Sequence, residues 1–165
     1  MTSPSVDARG ILSFPRTVNE KAARVVAAGV FSIGVLILAT GAQWLLAVLF
    51  AGFVLRVVAG SSLSPLALLA TRVVAPRLGP PKEVSGPPKR FAQAMGAAMT
   101  GTGAVLAFAG ATGAATVVTA LLVAAAGLEA FLAFCVGCRV FALLMRAGVV
   151  PDEVCEQCAD IWAPR

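Results

Sequence analysis

The chain contains no histidine and no tyrosine. The imidazole on which most acid–base relays, haem ligation and many metal sites rely is therefore missing. Charge is scarce as well: 13% of the 165 residues are Asp, Glu, Lys or Arg, against roughly a quarter in a soluble domain. With 59% apolar residues, the chain cannot cover a globular surface with polar groups, so lipid must solvate much of it. A phosphate loop, a nucleotide fingerprint and a nucleophile–base constellation are also lacking, which argues against hydrolase or kinase chemistry. The net charge of +5 does not point to nucleic acid, because the basic residues stand singly beside apolar runs with no interleaved aromatics. Cysteine is sparse too, but all four copies fall in two CxxC pairs, Cys135-Val136-Gly137-Cys138 and Cys155-Glu156-Gln157-Cys158. If this chain does chemistry, sulfur is the agent.

What is present is a set of apolar stretches. They run from about Val25 to Thr40, Trp44 to Ala59, Ala92 to Ala111 and Ala115 to Met145. A membrane span needs roughly 20 residues. The first two stretches join through Gly41-Ala42-Gln43 into a tight hairpin, and the fourth is overlong, so its last turns are expected to emerge into the interface. Some two dozen residues, including Asp7, Arg9 and Arg16, precede the first stretch; that lead is long for a cleaved signal, and the stretch reads as a retained span. The fold expected is therefore an all-α polytopic membrane protein, four transmembrane helices as two hairpins, with a cytoplasmic C-terminal helix. Its parts are an N-terminal segment over 1–24, a four-helix domain over 25–147 with a loop at 60–91, and a CxxC tail over 148–165.

Orientation follows from the basic residues. None lies in the two short connections around Gly41 and around Gly110 to Gly113. The positive-inside rule then places both termini and the middle loop in the cytoplasm. In that loop, Ser64-Pro65 is a helix-start signal, and Leu66, Leu69 and Val73 fall at helical spacing beside Arg72 and Arg77, as in a short helix lying on the membrane surface. Gly79-Pro80-Pro81 and Gly86-Pro87-Pro88 read as stiff extended linker. A thin internal repeat relates Phe14-Pro15-Arg16 to Pro88-Lys89-Arg90, with Asn19 matching Gln93 and Gly29 matching Gly103. The small residues of the third stretch, among them Gly96, Gly101 and Gly103, let helix backbones approach closely, either inside the bundle or at a homodimer face.

Cys135 and Cys138, at i and i+3 near the inner end of the fourth stretch, share a helix face at a spacing that allows a disulfide. Arg139 favours a thiolate there, while the C-terminal end of the helix on which the pair is expected opposes one. Cys155 and Cys158 follow a helix start at Val150-Pro151-Asp152-Glu153, and their acidic neighbours favour a bound cation. Together the pairs read C-x2-C-x16-C-x2-C, the spacing of a four-thiolate Zn²⁺ site. Two fates are thus open: Cys135 and Cys138 as a redox pair with Cys155 and Cys158 as a shuttle pair, or all four as metal ligands clamping the tail. Passage of a soft cation is a third. Glu129 is the one acid inside a span, and Arg56 lies at similar depth on the second, so an intramembrane Arg56–Glu129 ion pair is expected.

Several segments carry a resemblance. Pro87-Pro88-Lys89-Arg90-Phe91-Ala92-Gln93, the stretch from Ser64-Pro65 to Pro80-Pro81, and Phe134-Cys135-Val136-Gly137-Cys138 resemble an uncharacterised bacterial membrane-protein family, common in actinobacteria and catalogued as a domain of unknown function. The likeness runs from about Val6 to Phe141. Val6-Asp7-Ala8-Arg9-Gly10 departs from the family's usual start in having Ala8 where proline is typical. The resemblance implies that Cys135 and Cys138 are the family's cysteine pair, and that Cys155 and Cys158 belong to some members only. Genes of the family tend to lie near thioredoxin-like and thiosulfate sulfurtransferase genes, so it implies thiol or sulfur redox work at a bacterial plasma membrane. A thioredoxin-like or sulfur-carrier partner would then face the cytoplasm, and a quinone in the bilayer is a candidate electron partner that no residue here specifies.

Overall fold

The computed structural model describes residues 17–60 and 64–150. Two short strands, β1 (Thr17–Asn19) and β2 (Glu83–Ser85), pair antiparallel with Val18 opposite Val84. Each strand leads directly into a long helix: β1 into α1 (Glu20–Thr40), β2 into α4 (Gly86–Phe108). Asn19 caps α1 by accepting from the Lys21 N–H at 3.0 Å, and Glu20 adds a negative charge to the first turn. After α1 come α2 (Leu45–Ala59) and α3, a composite helix of Pro65–Leu69, a π-helical turn at Ala70–Val74, and Ala75–Arg77. Pro76 has no N–H to give to the Arg72 carbonyl, and its ring crowds that carbonyl, so the helix widens in the preceding turn. After α4 come α5 (Thr112–Leu132) and α6 (Val136–Arg146).

The all-α expectation holds, with the small sheet as an addition. Helices α1, α4 and α5 are long and apolar enough to cross a membrane; α2 is apolar but shorter, at 15 residues. Their outward faces carry Leu36, Val48, Val105 and Leu121, all exposed, as lipid-facing helices do. Inward, Val30 and Ile37 of α1, Leu46, Leu49 and Phe53 of α2, Ala104 of α4 and Leu122 of α5 form one core. The main helix pairings are α1 with α5 and α2 with α4; α4 also packs on α5, whereas α1 and α2 barely meet. The small residues of α4 serve those pairings. A methyl group at Gly96 would collide with the Phe53 ring, and one at Gly103 would come within 3.2 Å of Leu46. Buried Thr100 and Thr119 satisfy their hydroxyls on the carbonyls of Gly96 and Ala115.

A repeat is present in the structure, but in another register from the one read in the sequence. Strand, long helix, second helix and short helix recur in that order. The short helix packs back on the long helix of its own half, α3 on α1 and α6 on α4. The antiparallel strands then place an approximate two-fold axis between Val18 and Val84. Asn19 corresponds to Ser85, each at the N-cap position of its helix, and not to Gln93. The expectation of linker at Gly86-Pro87-Pro88 is corrected for the same reason. Those residues form the first turn of α4, where proline's missing N–H is no loss because that position has no intrahelical acceptor.

The fourth apolar stretch is likewise corrected: it breaks into α5 and α6 around Ala133, which adopts the left-handed conformation at φ 55°. No glycine or proline marks the break; tertiary contacts impose it. Arg24 of α1 donates to the Ala130 carbonyl at 3.1 and 3.2 Å and to that of Phe131 at 3.3 Å, capping the negative end of α5. Gly137 then brings α6 so close to α4 that a methyl group there would stand 2.6 Å from the Ala92 backbone. On α6, Phe141, Ala142 and Met145 face inward, with Phe141 against Phe91.

Candidate functional site

The break at Ala133 changes the setting of the first cysteine pair. Cys135 is the N-cap of α6 and Cys138 lies in its first turn, so they sit at the positive end of a helix, not at the negative end expected from one continuous span. Their sulfurs are at disulfide-bonding distance with Cα atoms 5.2 Å apart. The Cys138 N–H donates to Cys135 Sγ at 3.3 Å, and the Arg139 N–H to the Cys135 carbonyl at 3.1 Å. Both the N–H and the helix end favour negative charge on Cys135 Sγ. Cys135 is buried and Cys138 half-buried, while Arg139 is exposed and stacks its guanidinium over Phe134 at 5.2 Å. Cys155, Cys158 and the expected C-terminal helix lie outside the described residues.

A buried polar layer crosses the bundle at the same end. Glu129 pairs with Lys89 of α4, with 2.5 Å between Oε1 and Nζ. Arg56 is 5% exposed; its Nε donates to Gln93 Oε1 at 2.8 Å and its Nη1 to the Ser64 hydroxyl at 3.2 Å. Its guanidinium also lies 4.4 Å over the Phe53 ring. The expected Arg56–Glu129 pair is thus replaced by two separate arrangements. Lys89 and Gln93, one turn apart on α4, intervene: one takes the carboxylate and the other the guanidinium. Lys89 is hidden in the sequence because it stands beside Pro87-Pro88, which read as linker. Its i, i+4 spacing to Gln93 is the signal that would have found it, once the prolines are read as a helix start.

Two cavities flank Gln93. One, of about 290 Å³, lies inside the bundle where α1 and α2 splay. Its walls include Phe53, Met95, Met99 and Leu122, and Gln93, Glu129 and the Val136-Gly137 segment between the two cysteines close one end. The other, of about 280 Å³, lies beneath the strands and is lined by Asn19, Arg56, Lys89 and Gln93 among others. Among the described residues, no cluster of three or more metal-ligating side chains occurs. The four-thiolate arrangement requires Cys155 and Cys158, which lie outside the described residues.

Fold and site together describe an all-α protein with apolar helices suited to a membrane, and with a CxxC pair set at a helix start beside a polar layer. The family model for a domain of unknown function, DUF4395, matches residues 18–146, and the chain belongs to that family. The match runs from β1 to the last residue of α6, including Cys135 and Cys138 and excluding Cys155 and Cys158. Neither the curated proteins nor the solved structures contain a match to the chain.

Proposed function

We propose that this chain is an integral membrane component of thiol or sulfur redox metabolism, in which Cys135 and Cys138 cycle between dithiol and disulfide. The observation that carries this reading is the placement of two sulfurs within bonding distance at the N-terminus of α6, with a backbone N–H directed at one of them. Oxidation forms the S–S bond and releases two protons and two electrons, which a partner disulfide takes up as it becomes a dithiol. A thioredoxin-like protein or a sulfur carrier is the proposed partner, and Cys155 and Cys158 are the proposed shuttle pair on the tail.

The geometry also suggests the order of exchange. A partner thiolate attacks the more accessible Cys138 sulfur, and Cys135 departs as the thiolate that the helix end stabilises. In this reading Cys138 carries the mixed disulfide.

The membrane arrangement proposed is four spans in two hairpins in a bacterial plasma membrane, with both termini cytoplasmic. All ten described Lys and Arg residues lie at the end that carries the strands, α3 and α6, and none lies at the turns around Gly41 and Gly110. At 1.5 Å per residue α2 is about 22 Å long. Spanning a hydrocarbon core of about 30 Å then requires local bilayer thinning or help from the flanking turns.

The test is elemental analysis and thiol counting on the detergent-purified chain, followed by titration in thiol–disulfide buffers. In the chain carrying Cys155→Ser and Cys158→Ser, a reversible two-electron titration is expected, and it should be lost when either Cys135→Ser or Cys138→Ser is added. With a thioredoxin-type partner that lacks its resolving cysteine and carries a thionitrobenzoate group in disulfide linkage on its attacking cysteine, the Cys138 thiolate of Cys135→Ser should displace thionitrobenzoate and trap the mixed disulfide, and Cys138→Ser should not. Near one Zn²⁺ per chain with all four thiols protected would instead establish the four-thiolate clamp favoured by the C-x2-C-x16-C-x2-C spacing, with the chain acting as a docking surface.

A further inference from the structure

We infer that the cavity beneath the paired strands is a binding site for an oxyanion of the phosphate or sulfate type, held by Arg56 and Lys89. Four observations on this side of Gln93 converge. First, Arg56 is almost fully buried, and its Nη2 has no hydrogen-bond partner. Its other two nitrogens are occupied by Gln93 and Ser64, which hold the guanidinium plane fixed. A guanidinium presents its donors in a rigid fork suited to an oxyanion, and leaving one of them orphaned in a buried site is unfavourable.

Second, the same cavity is lined by Lys89, another buried cation. Glu129 approaches Lys89 from α5 and lines the neighbouring cavity. The Arg56–Lys89–Glu129 group therefore holds two positive charges and one negative. The excess charge is buried where an uncompensated cation is costly.

Third, the space is large enough. A water molecule occupies about 30 Å³ of liquid, so the roughly 280 Å³ cavity has room for a tetrahedral oxyanion and its waters. Fourth, Thr17, Val18 and Asn19 of β1 line the same cavity, so one of the paired strands forms part of its wall beside the two cations. Glu129 and a bound anion would share Lys89. This links the anion cavity to the second cavity, whose end is formed by the peptide between Cys135 and Cys138.

Two sources supply this chemistry, a free inorganic oxyanion and the phosphate of a lipid headgroup. The test is calorimetric titration of the full chain in detergent with inorganic phosphate, sulfate and dioctanoyl phosphatidic acid, each against sodium chloride at matched ionic strength. Thermal unfolding is followed on the same samples. Phosphate and sulfate binding identifies a free oxyanion; binding of phosphatidic acid alone identifies the headgroup; either result supports the site. Arg56→Gln is expected to weaken binding about tenfold or more, the loss of a charge-assisted hydrogen bond. Lys89→Gln should act in the same direction. Arg56→Lys keeps the charge and serves as the variant that folds if Arg56→Gln does not. It should retain weakened binding, because lysine cannot reproduce the fork.

Glu129→Gln, which frees Lys89, should tighten the anion severalfold, a change of sign that loss of folding could not mimic. The inference is overturned if none of the three anions binds more strongly than chloride, or if binding is equal in wild type, Arg56→Lys and Lys89→Gln. Repeating the titration on the Cys135→Ser, Cys138→Ser double variant separates this result from the fate of the redox reading.

Discussion

In the first half of the chain the short helix α3 begins at Ser64, whose buried hydroxyl accepts from Arg56; in the second half α6 begins at Cys135, whose sulfur accepts from its own helix and lies against Cys138. The charged residues differ in parallel. Arg56 and Glu129 each stand three residues before the end of their helices, α2 and α5, yet one is a cation held by hydroxyl and amide groups and the other a carboxylate held by Lys89. The architecture is common to both halves, while the cysteine pair is present in one. The difference teaches that the N-cap position of the short helix accepts either a hydroxyl or a sulfur.

Four changes would break or sharpen that contrast. The largest effect is expected from Glu129→Ala, which strands Lys89 as an unpaired buried charge and should destabilise by about 3–5 kcal/mol. Thermal unfolding in detergent measures it, and adding Lys89→Met should recover much of the loss. By contrast, exchanging the charges as Arg56→Glu with Glu129→Arg should rescue nothing, since neither residue relies on the other. Next is Arg24→Ala, which uncaps α5 at the break peculiar to the second half; loss of its charged hydrogen bonds should cost about 1.5–3 kcal/mol. It should also raise proteolytic cleavage near Phe134.

A comparable or smaller cost of about 1–3 kcal/mol is expected for Gly137→Ala, because its methyl group presses on the Ala92 backbone and lifts the start of α6. Slower disulfide formation between Cys135 and Cys138 is the readout. The smallest stability effect belongs to Cys135→Ser, which gives the second half the cap of the first. We expect a change below about 1 kcal/mol, since serine is a good N-cap, with complete loss of thiol cycling. A large drop in melting temperature for this variant would argue that the sulfur is structural.

The apolar runs, the short basic helix after Ser64-Pro65 and the pairing of Cys135 with Cys138 were legible in the sequence, because hydrophobic run length, turn residues and i, i+3 spacing are local properties. What escaped it is set by contacts between distant segments. Ala133 carries no breaking signal; the helix ends there because Arg24 reaches its last carbonyls and because Gly137 fits Ala92. Depth counting placed Arg56 and Glu129 level with one another, which agrees with their equivalent places on α2 and α5, but depth does not say which side chains intervene. Lys89 and Gln93 do, and the run Gly86-Pro87-Pro88 concealed that α4 had already begun. The strands were invisible because three-residue segments carry no periodicity of their own.

The pairing of β1 with β2, together with the weak contact between α1 and α2, bears on how the chain is made. When the first hairpin leaves the ribosome, neither its strand nor its helices have their main partners, which are all in the second half. Insertion into the bilayer and assembly within it must then be separate events, the first half waiting as independent helices until the second arrives. A chain cut between Arg77 and Glu83 and expressed as two pieces should therefore reassemble in the membrane, while either piece alone would be left to cellular quality control.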